Sequence, residues 1–242
     1  MTSATTVTTA LHRLFGDRDP GVIDDLFGPV YRQHSALGVD GLAGVRALLD
    51  HLPPGFGYEL LRVVADGDLV VTHGLYRGYG PAPVVGFDVW RVRNGRIVEH
   101  WDALGPLGGA GPDDRAPVEG PTAPAELEQS DANRALVREW AEVVLRDGAG
   151  AAARFVGDAS VDHARGGAPV DRPRGADGTP IRYRVVHQVI AEGDLVFTRS
   201  EGGDAAPLIV NDLWRVEGGR IVEHWGLVVP VPATLPHDNG AF

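Results

Sequence analysis

The chain has 242 residues, a formal net charge of −11, 43% hydrophobic and 23% charged side chains, a composition that supports a packed core while its acidity disfavours nucleic acid and anionic membranes as partners. Every basic residue is Arg, and there is no Lys and no Cys, which excludes disulfides, thiolate nucleophiles and Cys-ligated zinc. No run approaches membrane-spanning length and the Thr-rich start lacks a signal-peptide pattern, so a cytoplasmic protein is expected, with the Arg-rich, Ala- and Gly-rich composition of a GC-rich bacterial genome.

Along the first hundred residues, two short helices are expected over 7–15 and 21–27, the second opened by Asp19-Pro20 at cap and first-turn positions. A third is expected over 40–52, where Leu42, Val45, Leu48 and Leu49 recur at helical spacing before Pro53-Pro54. The period then changes to two. Strands are expected over 58–65, 69–76, 84–92 and 96–104, with hairpin turns at Asp66-Gly67 and Asn94-Gly95. Helices followed by an antiparallel meander make an α+β domain.

The remainder repeats that domain. Asp88-Val-Trp-Arg-Val-Arg-Asn-Gly-Arg-Ile-Val-Glu-His-Trp101 returns as Asp212-Leu-Trp-Arg-Val-Glu-Gly-Gly-Arg-Ile-Val-Glu-His-Trp225, with 11 identities in 14 positions. Asp66-Gly-Asp-Leu-Val-Val-Thr72 returns as Glu192-Gly-Asp-Leu-Val-Phe-Thr198, and Gln33-His34 corresponds to Asp162-His163. Internal repetition of this kind decides the architecture. The expected organisation is a first domain over 1–107, a Gly-, Pro- and Ala-rich linker over 108–129, a second, diverged domain over 130–233, and a tail over 234–242. The second copy has an amphipathic helix over 131–146 and four strands within 181–229. Its third helix is missing from 165–180, which is crowded with Gly and Pro. The Gly-rich stretches 105–111 and 166–178 lack the strand–turn–helix setting of a phosphate loop and read as plain loops.

Helices followed by a meander ending in D-x-W-R-V-x-x-G-R-I-V-E-H-W resemble the SnoaL-like, polyketide cyclase-like branch of the nuclear transport factor 2-like superfamily. The resemblance covers nearly all of both copies and implies two tandem cone-shaped α+β barrels. It leaves the reaction open, since this fold hosts isomerases, dehydratases, hydrolases and plain binding proteins.

Strand alternation puts His100 and Asp102 on one face of the last strand, and Glu99 with Trp101 on the other. Asp88 and Trp90 likewise share a face. Similarity to ketosteroid isomerase implies that Asp88 stands at its oxyanion-hole acid and His34 at its general base, just after the second helix. The resemblance thus gives a cavity gathering His34, His73, Asp88, His100 and Asp102, with Trp90 as core or wall. His34, Asp88, His100 and Asp102 are the candidate catalytic groups. His73, Trp90, His163, Asp212 and His224 are candidate substrate contacts. Asp102 and His73 have no counterparts, Gly226 and Arg199 standing there instead, which points to the first copy as the catalyst.

A His that titrates near neutrality can accept a proton, and a carboxyl kept neutral in an apolar site can donate a hydrogen bond to a developing enolate. The expectation is a cofactor-independent enzyme of aldol-type cyclase, isomerase or dehydratase type, acting on a small hydrophobic carbonyl compound. Two alternatives stand beside it. One is a non-catalytic small-ligand-binding protein. The other is a metal site built from His34, His73 and His100 with Asp88 or Asp102. Paired carboxylates also serve epoxide hydrolysis in related proteins, and Asp88 with Asp102 supplies such a pair. Each bland reading keeps its weight: His34 as a structural histidine, Asp88 in an ion pair, His100 and His224 recurring for packing, Glu99 and Glu223 in salt bridges. Trp101 and Trp225 on an outer sheet face need cover, so an internal pseudo-dimer of the two copies is expected, with further homo-oligomerisation left open.

Overall fold

A computed structural model describes residues 1–108, 116–147, 153–165, 170, 180–204 and 206–242. The chain forms two compact units: Met1–Pro106 together with Pro232–Phe242, and Leu107–Val231. Both are α+β, each a curved five-stranded sheet with helices against one face.

In the first unit, helix α1 (Ser3–Leu11) begins at Thr2, whose side chain accepts from the backbone N–H of Thr5 at 3.1 Å, an ordinary N-cap. Val7, Ala10, Leu11 and Leu14 follow at one-face spacing and are all buried, which makes this the core-facing stripe. The helix runs into a π-helical turn (His12–Gly16), then α2 (Gly21–Leu26), β1 (Phe27–Gln33) and α3 (Leu42–Asp50). Strands β2 (Gly57–Asp66), β3 (Leu69–Arg77), β4 (Val84–Arg93) and β5 (Arg96–Pro106) complete the unit. The sheet order is β1-β5-β4-β3-β2. Only β1 runs parallel to its neighbour, β5. Asn94 and Gly95 both have positive φ, 51° and 72°, as the two-residue turn joining β4 to β5 requires.

The second unit repeats the plan with α4 (Ser130–Asp147), β6 (Val156–Asp162), β7 (Tyr183–Glu192), β8 (Leu195–Gly202), β9 (Leu208–Glu217) and β10 (Arg220–Pro230). Its order is β6-β10-β9-β8-β7, with β6 parallel to β10. Val137, Trp140, Ala141 and Val144 form the buried stripe of α4, packed with Trp214 and Ile221. No helix among the described residues is long and apolar enough to cross a membrane.

The tandem α+β architecture and the four-strand meanders stand as expected; each sheet also carries a fifth strand that periodicity missed. Gly28-Pro29 interrupts β1, and the register of both parallel pairs shifts midway. Proline and a bulge erase the alternation by which a strand is recognised. The expected boundaries also need correction. Part of the supposed linker is built into the second unit: Val118 is buried, Glu119 O accepts from Trp225 Nε1 at 2.8 Å, and Ala125 exchanges bonds with Asp194. The last eleven residues belong to the first unit. There Asn239 Nδ2 donates to Gln33 O and Asp40 Oδ1, each at 2.8 Å. Most of 165–180 and residues 109–111 lie outside the described residues, so the missing helix is not placed, while Gly105 and Pro106 close β5.

Removing residues 237–242 takes away both Asn239 bonds and the carbonyl on His34. At about 0.5–1 kcal/mol for each exposed or partly buried bond lost, the first unit is expected to melt several degrees lower, with the second unchanged. Calorimetry on the truncated chain checks this.

Candidate functional site

The inner face of the first sheet closes over a cavity of about 50 Å³ lined by Tyr31, Gln33, Asp88, Trp90, His100 and Asp102, with Leu14, Phe15, Phe27 and Tyr76 among the remaining walls. That is room for a few waters, at roughly 10–15 Å³ each. Leu37 and Tyr79, 57% and 44% exposed, also line it and mark its open side.

The hairpin β4–β5 supplies four of these groups. Its register pairs Asp88 with Asp102 and Trp90 with His100, so alternation brings all four to one face as the sequence implied. Trp90 stacks on the His100 ring at 3.9 Å between centroids and donates from Nε1 to Thr72 Oγ1 at 3.0 Å. The indole thereby fixes the imidazole plane.

Strand β1 supplies the rest. Gln33 pairs with His100 in the parallel ladder. The backbone N–H groups of His34 and Ser35 both donate to Gln33 Oε1, each at 3.1 Å. Two donors converging on one atom identify it as the amide oxygen. His100 Nδ1 lies 2.9 Å from the same oxygen and must therefore carry a proton. His100 Nε2 lies 3.1 Å from Asp88 Oδ1. One proton occupies that gap, on the nitrogen or on the carboxyl, so His100 and Asp88 form a proton-sharing couple. Tyr76 Oη donates to Asp88 Oδ2 at 2.6 Å, and Ser35 Oγ donates to Asp102 Oδ2 at 2.7 Å.

Burial and the neighbouring Asp88 and Asp102 carboxylates push the Tyr31 and Tyr76 phenols well above the ordinary tyrosine range. Both remain protonated donors. Tyr31 Oη accepts from Gln33 Nε2 at 3.4 Å, leaving its own hydrogen to be donated.

Two expected members of the cavity lie elsewhere. His34 is on the opposite face of the sheet. It stacks on Trp101 at 4.7 Å and 14°, with Nε2 at 3.1 Å from Glu99 Oε1 and Nδ1 at 3.0 Å from Gly240 O. Its neighbours Gln33 and Ser35 are the ones facing inward, because side chains alternate and the position was off by one. Burial holds the His34 pKa below its ordinary value, against the pull of Glu99 and the Gly240 carbonyl. His73 is outward as well: Thr72 faces Asp88 in the ladder and His73 faces Phe87. It stacks on Phe87 at 4.3 Å and accepts from Arg62 Nη1 at 3.1 Å. Desolvation and Arg62 hold it well below the usual histidine range, hence neutral. Trp101 faces outward as expected and is only 5% exposed, with the Arg91 guanidinium 5.6 Å from its ring centroid.

The second unit copies both faces with changes. His163 repeats His34, stacked on Trp225 at 4.8 Å and 2.9 Å from Glu223 Oε2, so it too is outside the inner cluster where the sequence put it. Asp212 and His224 do meet, at 2.8 Å, and both are buried. Tyr183 Oη donates to Asp212. Trp140, fully buried, packs on Trp214 at 4.5 Å. A Cβ on Gly226 would lie 2.7 Å from His224 Cε1, so the place of Asp102 is closed.

Sequence reading missed Tyr31, Gln33, Ser35 and Tyr76. The first three are a period-two inward series that becomes visible once β1 is known to be a strand.

A family model described as SnoaL-like domain matches residues 8–100. Among solved structures, a steroid delta-isomerase from Pseudomonas aeruginosa is 25% identical, covering 44% of this chain and 82% of that one, with a TM-score of 0.37. IdmH from Streptomyces antibioticus, assigned as a polyketide cyclase, is 22% identical over 43% of this chain and 92% of its own, also at 0.37. TsrD from Streptomyces laurentii is 21% identical over 42% and 87%, again at 0.37. No curated protein matches the sequence.

Two stability predictions follow from this geometry. Tyr76→Phe strips the donor from a buried carboxylate oxygen and is expected to cost about 1.5–3 kcal/mol in urea unfolding. In the second unit, burial would lower the His224 pKa, but Asp162 and Asp212 overcome it and raise it to about 9. Raised above the unfolded value, it stabilises fully below about pH 6.5. That stability, of the order of 3 kcal/mol, fades as pH climbs through 9. Unfolding measured from pH 6 to 10 should show the loss, and His224→Gln should flatten it.

Proposed function

From the match of residues 8–100 to a SnoaL-like domain model, we propose that the first unit is a cofactor-independent acid/base enzyme of isomerase, cyclase or lyase type, acting on a small carbonyl compound. The observation that carries this reading is the 3.1 Å contact between His100 Nε2 and Asp88 Oδ1 inside an aromatic cavity, with Asp102 beside it. Ligand atoms of all three lie within 4.8 Å of one another. That distance lets one small molecule touch a proton acceptor and a proton donor at once.

In the reaction, the Asp102 carboxylate takes the proton from the carbon next to the substrate carbonyl. The bond's electron pair moves to the carbonyl oxygen, and Tyr31 donates a hydrogen bond to the resulting oxyanion. The His100–Asp88 couple returns a proton at the second position for isomerisation, or protonates the leaving oxygen for dehydration, and the proton held by Asp102 then passes to the couple to restore the starting state. Ser35 holds the base, and Gln33 with Trp90 holds the imidazole. The apolar walls exclude bulk water from the enolate. A narrow cavity favours a compact substrate.

Hydrogen–deuterium exchange tests the chemistry without knowing the natural substrate. In D2O, the chain should speed exchange at the α-carbons of small ketones such as cyclohexanone and butan-2-one, read by NMR. Asp102→Asn and His100→Gln should each lower that rate by about 10²–10⁴-fold. His34→Ala, outside the cavity, should leave it nearly intact in protein that remains folded. A wild-type rate equal to that of buffer across the ketone panel would remove the proposal.

The same cluster gives a second reading, a divalent cation held by Asp88, His100 and Asp102. Tyr76, Ser35 and Gln33 already orient those ligands from behind, the arrangement metal sites use. Binding would displace the shared proton. Calorimetric titration with Zn²⁺ or Mn²⁺ distinguishes the readings: stoichiometric binding lost in Asp102→Asn favours the cation.

A further inference from the structure

Strand β1 is an edge of the first sheet, and its end is tied to β5 by the bond from His34 N to His100 O at 2.9 Å. Main-chain groups alternate sides along a strand, so Gln33 and Ser35 turn theirs toward the open edge. The C-terminal segment fills that edge. Asn239 Nδ2 donates to Gln33 O and to Asp40 Oδ1, each at 2.8 Å, and Asp40 Oδ1 also accepts from Gln33 N at 2.8 Å. His237 Nε2 donates to Ser35 O at 2.9 Å.

Gln33 and Ser35 are also the residues that hold the inner site. Gln33 Oε1 meets His100 Nδ1 at 2.9 Å, and Ser35 Oγ donates to Asp102 Oδ2 at 2.7 Å. Their side chains reach the cavity while one short segment grips their carbonyls from outside. Gln33 Oε1 also accepts from the N–H groups of His34 and Ser35, a tight turn that carries any displacement of the Gln33 peptide group into its side chain. The second unit has an equivalent segment. Ala116 O faces His163 Nδ1 at 3.2 Å, as Gly240 O faces His34 Nδ1 at 3.0 Å. Ala116 and Gly240 are 124 residues apart, as are Asp88 and Asp212. Each segment follows the last strand of one copy and meets the histidine just after the parallel strand of the other. Its recurrence marks the tail as a built element of the fold.

We propose that residues 237–241 form a strap that positions the inner site through the edge of β1, with Asn239 and His237 as positioning residues for Gln33 and Ser35. With the strap seated, both carbonyls are satisfied and the strand end has one position. Without it they turn to water, and the side chains on the same residues lose their fixed aim at His100 and Asp102. Asn239 carries most of the effect, because its amide bonds both the Gln33 carbonyl and the carboxylate that holds the Gln33 N–H. The Gly240 contact adds nothing on the cavity side, since the His34 ring lies on the outer face. The effect on turnover rests on the acid/base reading of the first unit, but the first readout is the Gln33 side chain itself, so either can fail alone.

The test is NMR of the full chain labelled with ¹⁵N at its glutamine side-chain amides, Gln33, Gln129 and Gln188, with the Gln33 lines assigned through Gln33→Met. In the wild type the Gln33 amide, which is buried, should give a sharp pair that exchanges slowly with solvent. Asn239→Asp, equal in size but without the donor, should speed that exchange by about tenfold or more well below the melting temperature, with Gln188 unchanged. His237→Ala should act in the same direction, and His237→Gln, which keeps a donor, should behave as the wild type. In the ketone assay, Asn239→Asp should lower kcat by about tenfold or more at nearly constant KM. A Gln33 amide unchanged in Asn239→Asp overturns the proposal, as does a His237→Gln variant as loosened as His237→Ala. If the wild type exchanges no ketone hydrogens, the acid/base reading falls and the amide lines still decide the strap.

Discussion

The parallel pairing of β1 with β5 is the constraint on which both faces of the first sheet depend. It sets Gln33 beside His100 and, by alternation, turns Tyr31, Gln33 and Ser35 inward while His34 turns out. A slip of one residue would exchange those sets and destroy the cavity and the outer stack together. Register here is held by more than the ladder. Gln33 N donates to Asp40 Oδ1, and its side-chain oxygen gathers the two following backbone N–H groups, so the strand ends in a knot of bonds that admits one alignment.

Much of the site was readable from the hairpin β4–β5. The spacing Asp88-x-Trp90 and His100-x-Asp102, with an Asn-Gly turn between strands, determines which side chains meet. What failed was facing that depends on elements without a clean period. Gly28-Pro29 disguised β1, so His34 was placed by its order after a helix and not by its side of a strand. His73 failed for a related reason, since its side is set by a ladder that the sequence of β3 alone does not reveal. The closing segment was illegible because its role rests on single bonds from Asn239 and Gly240, which no periodic pattern announces.

Duplication repeats packing and site alike. The positions that repeat include the outer stacks, His34 with Trp101, Glu99 and Arg91, and His163 with Trp225, Glu223 and Arg215, and also the inner sets of Asp88, Trp90 and His100, and Asp212, Trp214 and His224. Identity between copies therefore does not by itself separate framework from site. Two positions that differ, Gln33 against Asp162 and Asp102 against Gly226, lie next to the inner imidazole. Recurrence of a polar residue in a repeated domain is weak grounds for assigning it a catalytic part.

The first unit is discontinuous, its last piece arriving after the whole of the second. Chains leave the ribosome from the N-terminus and domains generally fold in that order. Here the carbonyl that meets the outer histidine, Gly240 O on His34, follows the whole of the second unit in the chain, so that contact of the earlier-made unit is made only after the later one has been synthesised.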